Sequence, residues 1–129
     1  MPRLPRRLAC AAVLAVLTGM AAAAEPAPSF EKQVGPLLQT RCLACHSGTK
    51  PRGEFDLTTR AAMLKGGERG PALVPGRADD SQLIDRVAAH EMPPKHPLTD
   101  DEVALLRRWV DAGAAWEGRA VSPPRAGPD

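Results

Sequence analysis

The stretch RCLACHSG, residues 41–48, places two cysteines three positions apart and a histidine directly after the second cysteine. The side chains that offer chemistry are those of Cys42, Cys45 and His46. Thiolates and imidazoles are ligands that proteins use for transition metals, and a thiol also forms covalent bonds. The fold of this short chain is therefore expected to form around whatever group these three residues hold.

The order C-x-x-C-H is the attachment signature of c-type haem. Two thiols that add across the vinyl groups of adjacent pyrrole rings must be separated by a short, fixed reach, and Cys42 and Cys45 meet that requirement. The imidazole of His46 then lies under the ring and binds the iron as the proximal ligand. The motif predicts one covalently bound haem c, with thioether bonds to both cysteines.

Three other interpretations of the motif compete with haem. A Cys42–Cys45 disulfide leaves His46 unexplained and closes a loop too small to stabilise the chain much. A thioredoxin-like redox pair requires a βαβ setting, which the sequence lacks. A structural zinc module with Cys42, Cys45, His90 and His96 as ligands is the strongest rival, although 44 residues separate the two ligand pairs and His46 has no role in it.

The first 24 residues have the layout of a secretory signal. Three arginines precede an uncharged apolar run that ends in small residues, with cleavage expected near Ala24. The alternative is an uncleaved membrane anchor, but the run over residues 8–24 is shorter than the ~20 residues that a spanning helix needs. The sequence thus predicts a periplasmic or otherwise extracytoplasmic protein, in contact with a membrane only if this segment is retained.

The composition of the remaining chain limits its possible partners and its core. Removal of the three arginines leaves 14 basic against 15 acidic residues, and aromatic residues are only 3% of the sequence. A near-neutral chain with so few stacking side chains gives no reason to expect nucleic-acid binding. With two Phe, two Trp and no Tyr, the core has few large side chains, and a bound macrocycle would complete it.

Apolar spacing predicts an all-α domain of about four helices with long loops, over residues 25–117, followed by a flexible tail at 118–129. The helices are expected near residues 30–43, 58–67, 79–90 and 99–113. The first is expected to kink at Pro36 or to restart there. The expected N-caps are Thr58 or Thr59 for the second helix, Asp80 or Ser81 for the third, and a capping box of Thr99 with Glu102 for the fourth.

A second group of potential ligands lies in HEMPPKH, residues 90–96, where His90, Met92 and His96 fall within seven positions. The thioether of Met92 suits haem iron, and Pro93 and Pro94 stiffen the loop that presents it. His90 is expected to terminate the third helix, and both histidines remain alternatives to Met92 as the sixth iron ligand.

The order of several motifs resembles the planctomycete-type cytochrome c domain. FEKQVGPLLQTRCLACHSG, the loop GGERGPALVPG, MPP and the final WVDAGAAW follow one another over about Phe30 to Trp116. The resemblance implies an all-α cytochrome c fold, one covalent haem, and His46 and Met92 as axial ligands. In many members this domain is the front part of a longer chain.

Together these features predict a stand-alone electron carrier that transfers electrons between extracytoplasmic redox proteins and is not an enzyme. The alternative is a haem enzyme with peroxidase-like activity, or a small-ligand sensor, in which Met92 dissociates from iron. Arg107 and Arg108 are expected to form a solvated face, although either could pair with a haem propionate, and Trp109 is expected to pack in the core.

Overall fold

The computed structural model describes residues 25–124, which form four α-helices joined by long loops. These are α1 (Gly35–Arg41), α2 (Arg60–Lys65), α3 (Gln82–Ala88) and α4 (Asp100–Asp111). A π-helical turn at Phe30–Val34 leads into α1, and 3-10 turns lie at Arg52–Glu54 and Ala78–Asp80. No β-strand occurs within residues 25–124, where the one β-bridge joins Gly67 to Gly70. The predicted all-α class is confirmed.

Both predicted terminal segments extend beyond the described residues. The signal segment, 1–24, lies wholly outside them, as do the last five residues of the predicted tail. Within residues 25–124, no helix is both long and apolar enough to cross a membrane. Residues 118–124 form no helix, but Val121 donates its backbone N–H to the carbonyl of Thr58 at 2.8 Å.

Pro36 marks where the first helical segment is divided in two. The π-helical turn ends at Val34, and α1 begins at Gly35 with the proline in its first turn. A proline is tolerated there because the missing N–H has no partner inside the helix. The predicted restart at Pro36 is confirmed.

Two of the predicted helix caps have the expected hydrogen bonds. Thr59, rather than Thr58, caps α2 by accepting the N–H of Ala62 at 3.1 Å. Thr99 and Glu102 form the predicted capping box of α4, in which each side chain accepts the backbone N–H of the other residue.

Ser81 occupies the N-cap position of α3, but its side chain does not cap the helix. The hydroxyl is fully buried, donates to the carbonyl of Arg77 at 2.8 Å and accepts the N–H of Val74 at 2.9 Å. A buried hydroxyl requires partners, and these two groups of the preceding loop provide them. The expected capping role of Ser81 is wrong; its side chain holds the loop.

Helices α3 and α4 end in the same way. After α3, His90 has φ +58°, its N–H reaches the carbonyl of Val87, and the N–H of Glu91 reaches that of Arg86. After α4, Gly113 has φ +105° and the equivalent bonds reach Val110 and Trp109. Both ends are Schellman motifs, with a residue of positive φ after the cap. The predicted roles of His90 and Gly113 as helix terminators are confirmed.

The core lies between the helices and includes three of the four Phe and Trp side chains, those of Phe30, Trp109 and Trp116. Phe30 stacks on Trp116 with 3.9 Å between ring centroids and lies 5.7 Å from Trp109. The indole N–H of Trp109 donates to the carbonyl of Ala115 at 2.9 Å, so the buried polar group has a partner. Trp109 is 1% exposed, which confirms its predicted place in the core.

Candidate functional site

A cavity of about 350 Å³ lies beside the C-x-x-C-H motif. This volume is within the range of roughly 300–1,000 Å³ that small-molecule and cofactor sites occupy. Four apolar residues of the cavity wall, Leu57, Ala72, Leu83 and Val87, are buried and belong to the hydrophobic core. The cavity is thus an apolar recess continuous with the core.

All three motif residues line this cavity. The chain makes a tight turn after α1, in which the carbonyl of Cys42 accepts the N–H of Cys45 at 3.2 Å and that of His46 at 3.1 Å. Between the cysteines, Leu43 is fully buried and fixes the turn to the core. Because these hydrogen bonds join residues only three and four positions apart, the turn places all three motif side chains on one wall of the cavity.

The hydrogen bonds of His46 determine which ring nitrogen is available to a metal. Its Nδ1 lies 3.1 Å from the carbonyl oxygen of Phe55, and because a carbonyl only accepts, Nδ1 must carry the proton. In the neutral ring Nε2 then keeps its lone pair, the arrangement found in metal-binding histidines. The carbonyl of His46 also accepts the N–H of Leu57 at 2.9 Å, so backbone and ring are both held.

Both cysteines are free thiols and partly buried, so the alternative Cys42–Cys45 disulfide is not formed. Burial raises the pKa of the Cys42 thiol to about 11, against a smaller opposing effect of the Arg41 charge. This thiol is therefore neutral at pH 7.

Met92 lines the same cavity as the motif, together with Pro93 and Pro94. Met92 is 39% exposed, and among the described residues no other large hydrophobic residue is exposed. The backbone N–H of Met92 reaches the carbonyl of Arg86 at 3.2 Å, and the Met92–Pro93 peptide bond is cis. The structure thus brings Met92 to the recess that the motif residues line, across about fifty residues of sequence.

The two alternative ligands lie elsewhere. His90 and His96 are exposed, and neither lines the cavity. In the part of the chain that the structure describes, no three His, Cys, Asp or Glu side chains are close enough together to hold a metal ion. The zinc ligand set of Cys42, Cys45, His90 and His96 is therefore not assembled.

A comparison with protein families agrees with this geometry. Residues 42–96 match the family model described as Planctomycete cytochrome C. Over this segment, which is less than half of the chain, the protein is similar to planctomycete-type cytochrome c domains. The matched segment begins at Cys42 and ends at His96, so it contains the motif and Met92. No curated protein and no solved structure matches the chain.

The chemistry of the cavity fits a haem. Haem is a large apolar ring with two carboxylates, and the cavity combines apolar walls with arginines, namely Arg41, Arg52, Arg69 and Arg86. Arg86 pairs with Glu91, and Arg41 with Glu102. In the described residues Arg52 and Arg69 form no ion pair, so their guanidinium groups are available for carboxylates.

Arg52 and Arg69 were missed by the sequence pattern, which named only Arg107 and Arg108 as alternative partners of a propionate. Arg107 pairs with Asp79 and Arg108 with Glu25, both side chains are well exposed, and neither lines the cavity. The expected solvated face is confirmed, because α4 turns that face away from the recess. No local signal marks Arg52 and Arg69, which come to the cavity through loop folding.

The glycine-rich loop provides the wall that carries Arg69. The backbone of Gly67 lies against that of Gly53, so a Cβ on Gly67 would be 2.4 Å from the Gly53 carbonyl oxygen. The Gly53 carbonyl accepts the N–H of Glu68 at 3.2 Å. Only glycine allows this approach, and it brings the two loops that carry Arg52 and Arg69 together at the cavity.

Proposed function

We propose that this protein is a secreted monohaem c-type cytochrome that carries electrons between extracytoplasmic redox proteins. The family match indicates haem binding. The observation that supports the finer proposal is the joint lining of one cavity by Cys42, Cys45, His46 and Met92. These are the two thiols, the imidazole and the thioether that a six-coordinate haem c requires.

Each residue has a separate role in this proposal. Cys42 and Cys45 hold the haem through thioether bonds, and His46 offers Nε2 to the iron while Phe55 fixes its ring. Met92 contributes sulfur as the sixth ligand. Bound haem supplies a one-electron couple, and His/Met ligation raises its reduction potential. With His46 and Met92 both bound to it, the iron would have no open position for small ligands or water.

Arg52 and Arg69 are proposed to hold the haem propionates. Both side chains are at the cavity and without an ion pair among the described residues. An arginine binds a carboxylate with two parallel hydrogen bonds, which fixes orientation as well as charge. Most of the remaining wall is apolar, and this division would orient the ring with its carboxylates toward Arg52 and Arg69.

The proposed location follows from the chemistry of attachment together with the sequence of residues 1–24. C-type haem is attached outside the cytoplasm to an exported, unfolded chain, and this segment has the features of an export signal. The partners are proposed to be redox proteins of the same compartment. Contact with a membrane would require that the segment stays as an anchor.

Expression with export in a bacterial host that matures c-type haem tests the proposal. We expect a haem-staining band in a denaturing gel, because thioether bonds survive denaturation, and a ferric absorption band from sulfur-to-iron bonding. Met92→Ala should lose the sulfur band and keep the stain. Met63→Leu is the matched control, since Met63 is fully buried, does not line the cavity, and its replacement conserves volume.

Two results would contradict the proposal. A purified protein without haem stain would exclude covalent haem. A wild-type spectrum without the sulfur band, or one unchanged by Met92→Ala, would exclude Met92 as the sixth ligand.

The sparse hydrogen bonding after Met92 favours one second candidate, a haem enzyme or small-ligand sensor with a labile sixth ligand. Residues 93–95 make no hydrogen bond within the described chain, so Met92 is held only through the two ends of its segment. This candidate predicts rapid carbon monoxide binding to the untreated ferrous protein and substantial peroxidase turnover. The electron carrier predicts slow binding and little turnover.

A further inference from the structure

Arg41 connects the attachment motif to a distant part of the chain. It is the last residue of α1 and directly precedes Cys42. Its Nη2 donates hydrogen bonds to the carbonyl oxygens of His96 at 3.2 Å and Pro97 at 3.0 Å. The side chain is only 29% exposed, so these bonds are partly shielded from water.

The same guanidinium also contacts the first turn of α4. Nη1 of Arg41 pairs with Oε1 of Glu102 at 3.4 Å, while Oε2 of Glu102 accepts the N–H of Thr99 at 2.9 Å. One carboxylate thus completes the capping box with one oxygen and holds Arg41 with the other. The end of α1 and the start of α4 are joined through it.

The segment that carries Met92, which we call the Met92 loop (residues 91–97), is held at two ends. At the first end, the carbonyl of Arg86 accepts the N–H groups of Glu91 and Met92 at 3.0 and 3.2 Å. At the second end, Arg41 holds the last two carbonyls. No hydrogen bond involves residues 93–95 within the described chain. Arg41 therefore supplies all the hydrogen bonds that the described residues make to the second end.

We propose that Arg41 is a positioning residue that fixes the Met92 loop to the haem-attachment segment. This role rests on the proposed function in treating Met92 as an iron ligand. Three acceptors surround one planar guanidinium, a geometry that the single ammonium of lysine does not reproduce. Because Arg41 is adjacent to Cys42, the clamp keeps the distance between the thioether attachment and the Met92 sulfur short and constant.

Three variants of the exported, haem-loaded protein test the clamp. Arg41→Met removes the donors and keeps an unbranched apolar stem. Glu102→Gln keeps the capping hydrogen bond but removes the charge that holds Arg41. Arg107→Met is the matched control, because it removes a surface ion pair with Asp79 outside the cavity. The readouts are hydrogen exchange of residues 91–99 and of residues 42–57, the sulfur-to-iron band, and the rate of carbon monoxide binding.

We expect Arg41→Met to accelerate both hydrogen exchange in residues 91–99 and carbon monoxide binding by at least about tenfold. This factor corresponds to the loss of one hydrogen bond from a charged group. Exchange in residues 42–57 should stay unchanged, and the sulfur band should weaken. Glu102→Gln should give a smaller change in the same direction, and Arg107→Met none. If Arg41→Met yields no haem-loaded protein, the Glu102→Gln result decides.

Unchanged exchange in residues 91–99, or an equal acceleration in Arg107→Met, overturns the clamp. If exchange accelerates selectively but the wild type has no sulfur band, the clamp stands and the proposed role of Met92 fails. The two proposals therefore fail through different measurements.

Discussion

The motif segment, residues 42–46, and the Met92 loop supply the candidate iron ligands from two kinds of structure. The motif segment is a turn whose hydrogen bonds join residues three and four apart, and Leu43 within it is fully buried. The Met92 loop is mostly exposed and is held by a carbonyl of α3 and by Arg41 of α1. The hydrogen bonds of the motif segment form as soon as the chain adopts the turn, whereas the position of the Met92 loop depends on groups from elements distant in sequence.

The largest expected effect comes from removing the attachment chemistry of the motif segment. The double variant Cys42→Ala, Cys45→Ala should lose all haem staining in denaturing gels, because no thioether can form. Met92→Ala should keep the full stain, since the Met92 loop makes no covalent bond. Haem stain in the double variant would contradict the assignment of both cysteines.

A smaller effect separates the two regions by their contribution to stability. Leu43→Ala removes a fully buried side chain and should lower the free energy of unfolding by about 2–5 kcal/mol. Lys95→Ala changes an exposed residue of the loop that makes no hydrogen bond among the described residues, and should alter it by less than about 0.5 kcal/mol. Denaturant unfolding of the haem-loaded proteins measures both, and similar values would remove the distinction.

The smallest effect concerns the turn that leads into the Met92 loop. His90 has φ +58°, a conformation that is unfavourable for a residue with a side chain. His90→Gly should therefore raise the free energy of unfolding by about 0.5–1 kcal/mol, after the greater freedom of glycine in the unfolded chain is included. The sulfur-to-iron band should not change.

The matched control for this turn is the equivalent position after α4. Gly113→Ala should lower the free energy of unfolding by about 1–2 kcal/mol, because φ there is +105°. Thermal or denaturant unfolding compares the two variants. Loss of the sulfur band in His90→Gly would contradict this expectation and would show that the turn at His90 is needed to position Met92.

The helices were predictable where the signal is local. The division at Pro36, the capping box of Thr99 with Glu102 and the terminator Gly113 depend on residues within four positions of one another, and the structure has all three. Ser81 was not predictable in this way. It has the right type and position for a cap, but its hydroxyl has two partners in the preceding loop that become available only when that loop folds.

The candidate site follows the same division. The spacing of Cys42, Cys45 and His46 was enough to place them at one cavity wall, and the resemblance pointed to Met92. The arginines of the cavity were missed, because a charge in a loop or on a helix gives no information about whether it faces the recess. Arg41 makes its contacts 55, 56 and 61 residues away.

The sequence by itself determined the C-x-x-C-H motif, the order of the four helices and most of their ends, since each depends on side chains and backbone groups close in the chain. The tertiary structure alone decided which groups face the cavity, where the hydroxyl of Ser81 is satisfied, and how Arg41 reaches the Met92 loop. The physical reason is that hydrogen bonds and packing across tens of residues exist only after the intervening loops have taken one conformation, and no short sequence pattern records that choice.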